Sequence, residues 1–174
     1  MTQEAGKEIE INPPGQPLFR IGFGYDVHPF VPGRPLILGG VDIDHPAGLK
    51  GHSDADVLTH AVMDALLGAL ARGDIGRHFP DTDPAWKGIK SLLMLERLVG
   101  MAKDDGYRLN NLDVTVVAQR PRLAPHLPLM RERLSEVFEA STSRINVKAT
   151  TTERLGFVGR EEGISAFAVI SLVG

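Results

Sequence analysis

From residue 91 to the end of the chain the apolar residues switch repeatedly between two spacings, and this alternation restricts the fold more than any other feature. SLLMLERLVGMAKDDG (91–106) has the period of an amphipathic helix, and YRLNNLDVTVVAQ (107–119) alternates as a strand. LMRERLSEVFEA (129–140) returns to the helical period, while INVKATTT (145–152) and ISAFAVISLVG (164–174) read as strands. A strand hides one face and a helix one stripe, so these segments can only bury their apolar sides against each other. One further helix is expected from Val57, where Leu58, Ala61, Met63, Leu66, Leu67 and Leu70 give a broad apolar face that should end near Gly73. Ser53 stands three residues before Asp56 as a short-acid version of the capping box. The expected architecture is a single α+β domain over residues 18–174, a mixed β-sheet with three main helices packed on one face.

Ahead of these elements FRIGFGYD (19–26) alternates as a strand, and RPLILGGVDI (34–43) reads as a second strand or a hairpin about Gly39-Gly40. HPAGLKGHSDAD (45–56), RPRLAPHLP (120–128) and ERLGFVGREEG (153–163) read as loops. GDIGRHFPDTDPAWKG (73–88) is a sixteen-residue loop, and one that long inside a compact domain is usually functional or disordered; its Asp, Phe and Pro favour function. Residues 1–17 are polar, end in a Pro/Gly cluster and read as a mobile leader. They lack the apolar stretch of a signal peptide, and with three Glu to one Lys they do not resemble a transit peptide, which makes a cytoplasmic location the expectation. The chain has no cysteine, which excludes disulfides, thiolate metal sites and cysteine nucleophiles. A net charge of −3 argues against a nucleic-acid partner, and no apolar run approaches the ~20 residues of a membrane span.

The candidate chemistry begins in GYDVHPF (24–30). On a strand, Asp26 and His28 stand side by side, as a metal pair, an acid/base pair or two unrelated surface residues. His52 lies in GHSDAD just before the helix, and His60 inside it, four residues after Asp56. Two His and a carboxylate make a three-ligand zinc set that leaves one position open; equally, Asp26 could cap a turn and His60 occupy the polar edge of its helix. ATTTE (149–153) offers hydroxyls, N–H groups and a carboxylate suited to phosphate and Mg²⁺, or is an ordinary β-branched strand end. FPDTDP (79–84) fits a solvated turn better than a site, and Arg160 with its Glu neighbours fits a charged turn. No P-loop or serine elbow is present.

Taken together, RIGFGYDVHPF, LILGGVDI, GHSDADVLTHAVMDALLGALARGDIGRHFPDTDPAWKG, DVTVVAQRPRLAPHLPLMR and INVKATTTERLGFVGREEGI resemble, in order, the 2-C-methyl-D-erythritol 2,4-cyclodiphosphate synthase family over residues 19–173. The resemblance implies an enzyme of the non-mevalonate isoprenoid pathway. Its substrate is a cytidine diphosphate derivative, 4-diphosphocytidyl-2-C-methyl-D-erythritol 2-phosphate, whose 2-phosphate attacks the β-phosphorus and releases CMP. It further implies Zn²⁺ on Asp26, His28 and His60, Mg²⁺ or Mn²⁺ on Glu153, and transition-state stabilisation by His52 and Thr151. The erythritol and phosphate pocket would use Asp26, Val27, His28, His52, Ser53, Asp74, Ile75, Gly76, Phe79, Pro80, Asp81, Thr82 and Asp83. The cytidine pocket would use Ala118, Gln119, Arg120, Pro121, Arg122, Leu123 and Ala124 with Ala149, Thr150 and Thr151, and Thr152 and Glu153 would also contact the substrate. Phe157 and Arg160 would lie near the centre of a homotrimer whose active sites fall between subunits.

Four positions depart from the family's commonest pattern: Phe23 stands where many members have His, Arg122 and Arg154 where Lys is frequent, and Glu161 where a small residue is usual. Arg presents a planar fork where Lys presents a point charge, so altered phosphate contacts are expected at the two Arg positions. Two other functions stand beside the one implied: a zinc-dependent phosphoesterase using metal-bound water, which the ligand set permits, and a non-catalytic trimeric nucleotide-binding protein, which would need a broken metal set where every implied ligand is present.

Overall fold

A computed structural model of the chain describes residues 17–174. The expected leader therefore lies, Pro17 apart, outside the described residues. The strands are β1 (Phe19–Pro32), β2 (Leu36–Leu38), β3 (Val41–Ile43), β4 (Ala47–Leu49), β5 (Arg108–Val117), β6 (Ile145–Thr150) and β7 (Gly163–Val173). The helices are α1 (Val57–Ala69), α2 (Ile75–His78), α3 (Ser91–Asp104), α4 (Leu127–Phe138) and α5 (Gly156–Gly159). Five strands form one mixed sheet in the order β4-β1-β7-β5-β6, while β2 and β3 form a separate hairpin. Among the described residues only β5 and β6 run parallel, joined by the helical crossover through α4 that a parallel pair requires. The α+β class with a mixed sheet and helices is as expected.

The core lies between the sheet and the helices. Leu112, Val114 and Val116 of β5 and Ile164, Ala166, Ala168 and Ile170 of β7 are buried at every second position. They belong to one apolar cluster with Leu58, Leu66 and Leu67 of α1, Leu95 and Leu98 of α3, and Met130 and Leu134 of α4. The opposite face of β1 and β7 carries Phe19, Ile21, Phe23, Tyr25, Val27, Phe167 and Val169, all exposed in the single chain; Ile21 is 74% exposed. Tyr25 and Phe167 pack there with ring centroids 4.9 Å apart. No helix among the described residues is long and apolar enough to cross a membrane.

Several boundaries differ from the sequence expectation, each for a local reason. β1 continues past residue 26 to Pro32 because β7 pairs with it as far as Pro29 and β4 pairs with it from Phe30. The stretch 45–56, expected as loop, contributes that short β4. α1 is capped by Asp56 rather than by Ser53: the Asp56 carboxylate accepts from Thr59 N. The helix stops at Ala69, ahead of the expected Gly73, and Ala71 turns the chain with φ +56°. Within 73–88, Asp74 caps α2 and Asp83 caps a 3-10 turn at Pro84–Trp86, so the long loop is partly helical. α4 begins at Leu127 because Pro128 is tolerated in a first turn. Within 153–163 the chain forms the single turn α5.

Two devices fix α1 against β1. A Cβ on Gly22 would lie 1.8 Å from Ala65 O, and one on Gly24 would lie 2.0 Å from Ala61 O, so the helix backbone rests directly on the strand. The fully buried Asp56 receives Gly39 N at 2.9 Å, Gly40 N at 2.8 Å and Thr59 Oγ1 at 2.7 Å, tying the hairpin turn to the helix start. Gly39 and Gly40 have φ +56° and +70°, which lets both N–H groups point at one carboxylate.

Candidate active site

Beyond Gly22 and Gly24 the next residues on the same face of β1 are Asp26 and His28, and the α1 turn above them presents His60. The strand–helix contact therefore delivers three polar side chains to one point. His28 Nε2 lies 2.9 Å from Asp26 Oδ2, His60 Nδ1 lies 3.0 Å from the same oxygen, and the two ring nitrogens are 3.1 Å apart. His28 Nδ1 is 2.5 Å from Lys50 O. A carbonyl only accepts, so Nδ1 carries a proton, and Nε2 is the nitrogen left to present a lone pair to a metal ion. Asp26, His28 and His60 thus form a group able to hold a metal ion. A tetrahedral zinc with ligands at ~2.0–2.1 Å needs donor atoms about 3.3–3.4 Å apart, close to what the three atoms already show.

Burial alone would raise the Asp26 carboxyl, but the adjoining imidazoles of His28 and His60 hold it well below the usual carboxylate range. Burial alone would lower His28, yet its bond to Asp26 and the Lys50 carbonyl raise it above an ordinary imidazole. Asp26 is therefore ionised at neutral pH, as a metal ligand must be.

These three residues line a cleft of about 420 Å³ together with His52, Ser53, Ile75, Gly76, Phe79, Pro80, Asp81 and Thr82. His52 Nε2 is buried and without a hydrogen-bond partner among the described residues, as is Trp86 Nε1 on the same wall. A buried polar atom without a partner is uncommon in a folded chain, and two on one wall mark it as a place for a polar ligand. Gly51, Asp64, Trp86 and Met94, which the sequence expectation does not include, also line this cleft. Asp64 lies one turn beyond His60, a spacing that could have revealed it. Its carboxylate accepts from Ile75 N at 2.9 Å, holding α2 over the cleft, and burial raises its pKa.

Val27, Asp74 and Asp83 do not join the cleft. Val27 projects from the other, exposed face of β1, and the two carboxylates cap the short helical turns through Arg77 N and Ala85 N.

A second cleft, of about 400 Å³, is lined by Ala118, Gln119, Arg120, Pro121, Arg122, Leu123, Ala124, Ala149, Thr150 and Thr151. Thr151 Oγ1 donates to Glu153 Oε1 at 3.1 Å, which ties Glu153 to its edge. Arg154 N donates to Gln119 Oε1, joining the two segments of the wall. Thr152 turns away to donate to Leu155 O at 2.6 Å. Phe157 and Arg160 line neither cleft. Arg160 pairs with Glu162 at 2.8 Å on the surface, whereas the unusual Glu161 faces Arg120 at 3.3 Å.

Both clefts open at the same end of the sheet. Asp26 is level with Ala166, Ala166 with Val116, and Val116 with Ala149. Three inter-strand steps separate the rows, about 14 Å.

Residues 19–173 match the model of the YgbB family. The chain is 63% identical over 153 residues to the 2-C-methyl-D-erythritol 2,4-cyclodiphosphate synthase of Geotalea daltonii, covering 88% of this chain and 90% of the relative. Among solved structures it resembles the bifunctional IspDF of Campylobacter jejuni, with 42% identity and TM-score 0.87. That match covers 91% of this chain and 43% of the longer protein, so the chain spans less than half of it. It also resembles IspF of Plasmodium falciparum in its CDP complex, at 34% identity and TM-score 0.79, covering 89% and 96% of the two chains.

Proposed function

The chain belongs to the YgbB family, and from that premise we propose how its two clefts carry out the reaction of the cyclodiphosphate synthases. The function is conversion of 4-diphosphocytidyl-2-C-methyl-D-erythritol 2-phosphate to the 2,4-cyclodiphosphate and CMP, a step of isoprenoid biosynthesis. The observation that supports the site assignment best is the convergence of Asp26 Oδ2, His28 Nε2 and His60 Nδ1 in a cleft that also holds an unpartnered imidazole nitrogen of His52.

The attacking phosphate is part of the substrate, so the protein needs no nucleophile of its own. It has to fold the substrate so that the 2-phosphate faces the β-phosphorus, and it has to accommodate the charge that accumulates. Asp26, His28 and His60 would hold Zn²⁺ and Glu153 would hold Mg²⁺ or Mn²⁺; when bound, these ions supply Lewis acidity toward phosphate oxygens. Ile75, Phe79 and Met94 give the first cleft an apolar wall against the methylerythritol carbons and exclude water from them. His52 offers its unpartnered ring nitrogen to a phosphate oxygen, and the Thr151 hydroxyl, which here donates to Glu153 Oε1, would turn to the diphosphate when Glu153 holds its ion. In the second cleft the small side chains of Ala118, Ala124 and Ala149 leave the backbone open to the cytosine edge, while Arg120 and Arg122 face the nucleotide's phosphates.

The exposed apolar face of β1 and β7 supports assembly as a homotrimer, since patches of that kind are uncommon on monomers. In such a trimer the second cleft of one subunit would complete the first cleft of its neighbour. A cytoplasmic location accords with the absence of a membrane-crossing helix among the described residues.

Incubation of the purified chain with the substrate, followed by phosphorus NMR, tests this reading. Cyclic diphosphate and CMP in equal amounts are expected. Inorganic phosphate in their place would identify a phosphoesterase, and no turnover with retained CDP binding would identify a nucleotide-binding protein.

A further inference from the structure

His60 has a second ring nitrogen, and its surroundings are as specific as those of the first. Nε2 lies 3.0 Å from Ser91 Oγ and 3.1 Å from Ser53 Oγ. Ser91 is fully buried at the start of α3, and Ser53 is nearly so. The Ser91 hydroxyl also contacts Asp54 Oδ1, and Ser91 N donates to Asp54 Oδ2 at 3.1 Å. Ser53 Oγ accepts from Ala55 N at 3.1 Å and lies 3.3 Å from Ser91 Oγ.

The direction of each bond follows from what the groups can do. A carboxylate only accepts, so the Ser91 proton goes to Asp54. The Ser91 oxygen then has lone pairs for His60, which makes His60 Nε2 the protonated nitrogen. Nδ1 is left bare, toward Asp26 and His28. Asp54 also receives Asp56 N at 3.4 Å, and Asp54 N donates to Ile89 O at 3.0 Å, so the carboxylate is held at both ends of its residue.

We propose that Asp54 and Ser91 are positioning residues for the metal centre, acting through His60: the Asp54 carboxylate orients the Ser91 hydroxyl, and that hydroxyl fixes the tautomer and ring plane that present His60 Nδ1. The inference rests on the metal-centre reading above and adds to it residues from a separate helix and loop. Ser91 lies 31 positions from His60 in sequence, and no spacing rule connects them. A partner on the far nitrogen raises the basicity of a ligating imidazole and removes its freedom to rotate, and loss of such partners typically weakens metal binding about 10–100-fold.

A purely structural account is available for Asp54, because its carboxylate caps the first turn of α3 through Ser91 N. Ser91→Ala separates the two roles: it deletes the hydroxyl and keeps the Ser91 N to Asp54 bond. The experiment measures Zn²⁺ affinity by chelator competition, and the visible d–d spectrum of the Co²⁺-loaded protein, for wild type, Ser91→Ala, Asp54→Asn and the double variant. Expected are Zn²⁺ binding about 10–100-fold weaker in Ser91→Ala, an altered Co²⁺ spectrum, unchanged far-ultraviolet circular dichroism, and no further loss when Asp54→Asn is added. Wild-type affinity and an unchanged Co²⁺ spectrum in Ser91→Ala would overturn the proposal, as would additive losses in the double variant. If Ser91→Ala does not fold, Asp54→Asn decides alone: a folded variant with wild-type Zn²⁺ affinity and Co²⁺ spectrum rejects the relay. Failure of wild type to bind Zn²⁺ would instead reject the metal-centre reading itself.

Discussion

The two clefts sit on the same level of one sheet yet are built by opposite means. The first is made of side chains whose chemistry is fixed: a carboxylate, imidazoles and the hydroxyls behind them, delivered by a helix pressed onto a strand at Gly22 and Gly24. The second is made of the loop that follows β5 and the small side chains at the end of β6, with the arginines at its wall. A site that coordinates an ion demands particular atoms at particular distances, and a site that reads a base edge demands shape and exposed peptide groups. The first should therefore fail sharply on single substitutions, and the second should degrade in proportion to the space removed.

The sharpest break is His60→Ala. It removes one of the three converging atoms and touches none of the apolar face of α1. Zn²⁺ binding should be lost and cyclisation with it, while the metal-free protein melts near the wild-type temperature. Full zinc occupancy by elemental measurement in this variant would remove the metal assignment.

Next in size is Gly24→Ala, which attacks the scaffold and leaves every ligand in place. The new methyl would overlap Ala61 O, a backbone atom that can yield only by moving the helix. A loss of about 3 kcal/mol in chemical denaturation is expected, with weakened Zn²⁺ binding because His60 moves away from Asp26. Stability within about 0.5 kcal/mol of wild type would show that the helix can slide, and that the close contact is not what sets the site.

The same change of chemistry in the second cleft should be milder. Ala149→Leu fills part of the space beside Thr150. It should raise KM for the cytidine substrate about tenfold, with zinc content and melting temperature unchanged. An equal fall in Zn²⁺ affinity would mean that the clefts are not independent in one chain.

The contrast also explains which parts could be read from sequence. Asp26 and His28 are legible because strand alternation alone brings them together, and the apolar stripe of α1 is legible because it repeats over thirteen residues. The capping of α1 is misplaced in sequence because Asp56 is chosen by the hairpin N–H groups of Gly39 and Gly40, contacts made across seventeen and sixteen positions. Short turns such as α2 and α5 carry too few residues to show a period. Trp86 and Ser91 reach the first cleft and its supporting shell only through tertiary packing. The alanines of the second cleft carry no chemical mark at all, and motif resemblance was the sole signal for them.

The smallest effect is expected where β5 and β6 are held together on the outer face of the sheet. Lys148 pairs with Asp113, which also accepts from Asn146 Nδ2 at 2.8 Å. The Lys148 hydrogen bond is the leading cause of the lowered Asp113 pKa, with burial opposing it and Asn146 assisting. A carboxyl lowered on folding contributes stability above its unfolded pKa, and that contribution disappears as pH falls through the lower folded value. The stabilisation from this pair should therefore be complete at neutral pH and fade only below about 4. Both side chains are about half exposed, so solvent screening limits it to a few tenths of a kcal/mol. Lys148→Met should accordingly shift neutral-pH stability by about 0.5 kcal/mol or less, with the difference from wild type vanishing at about pH 2–3 and in high salt. A larger loss, growing with dilution of the protein, would mean that the pair is covered by a neighbouring subunit, because association then contributes to the measured stability.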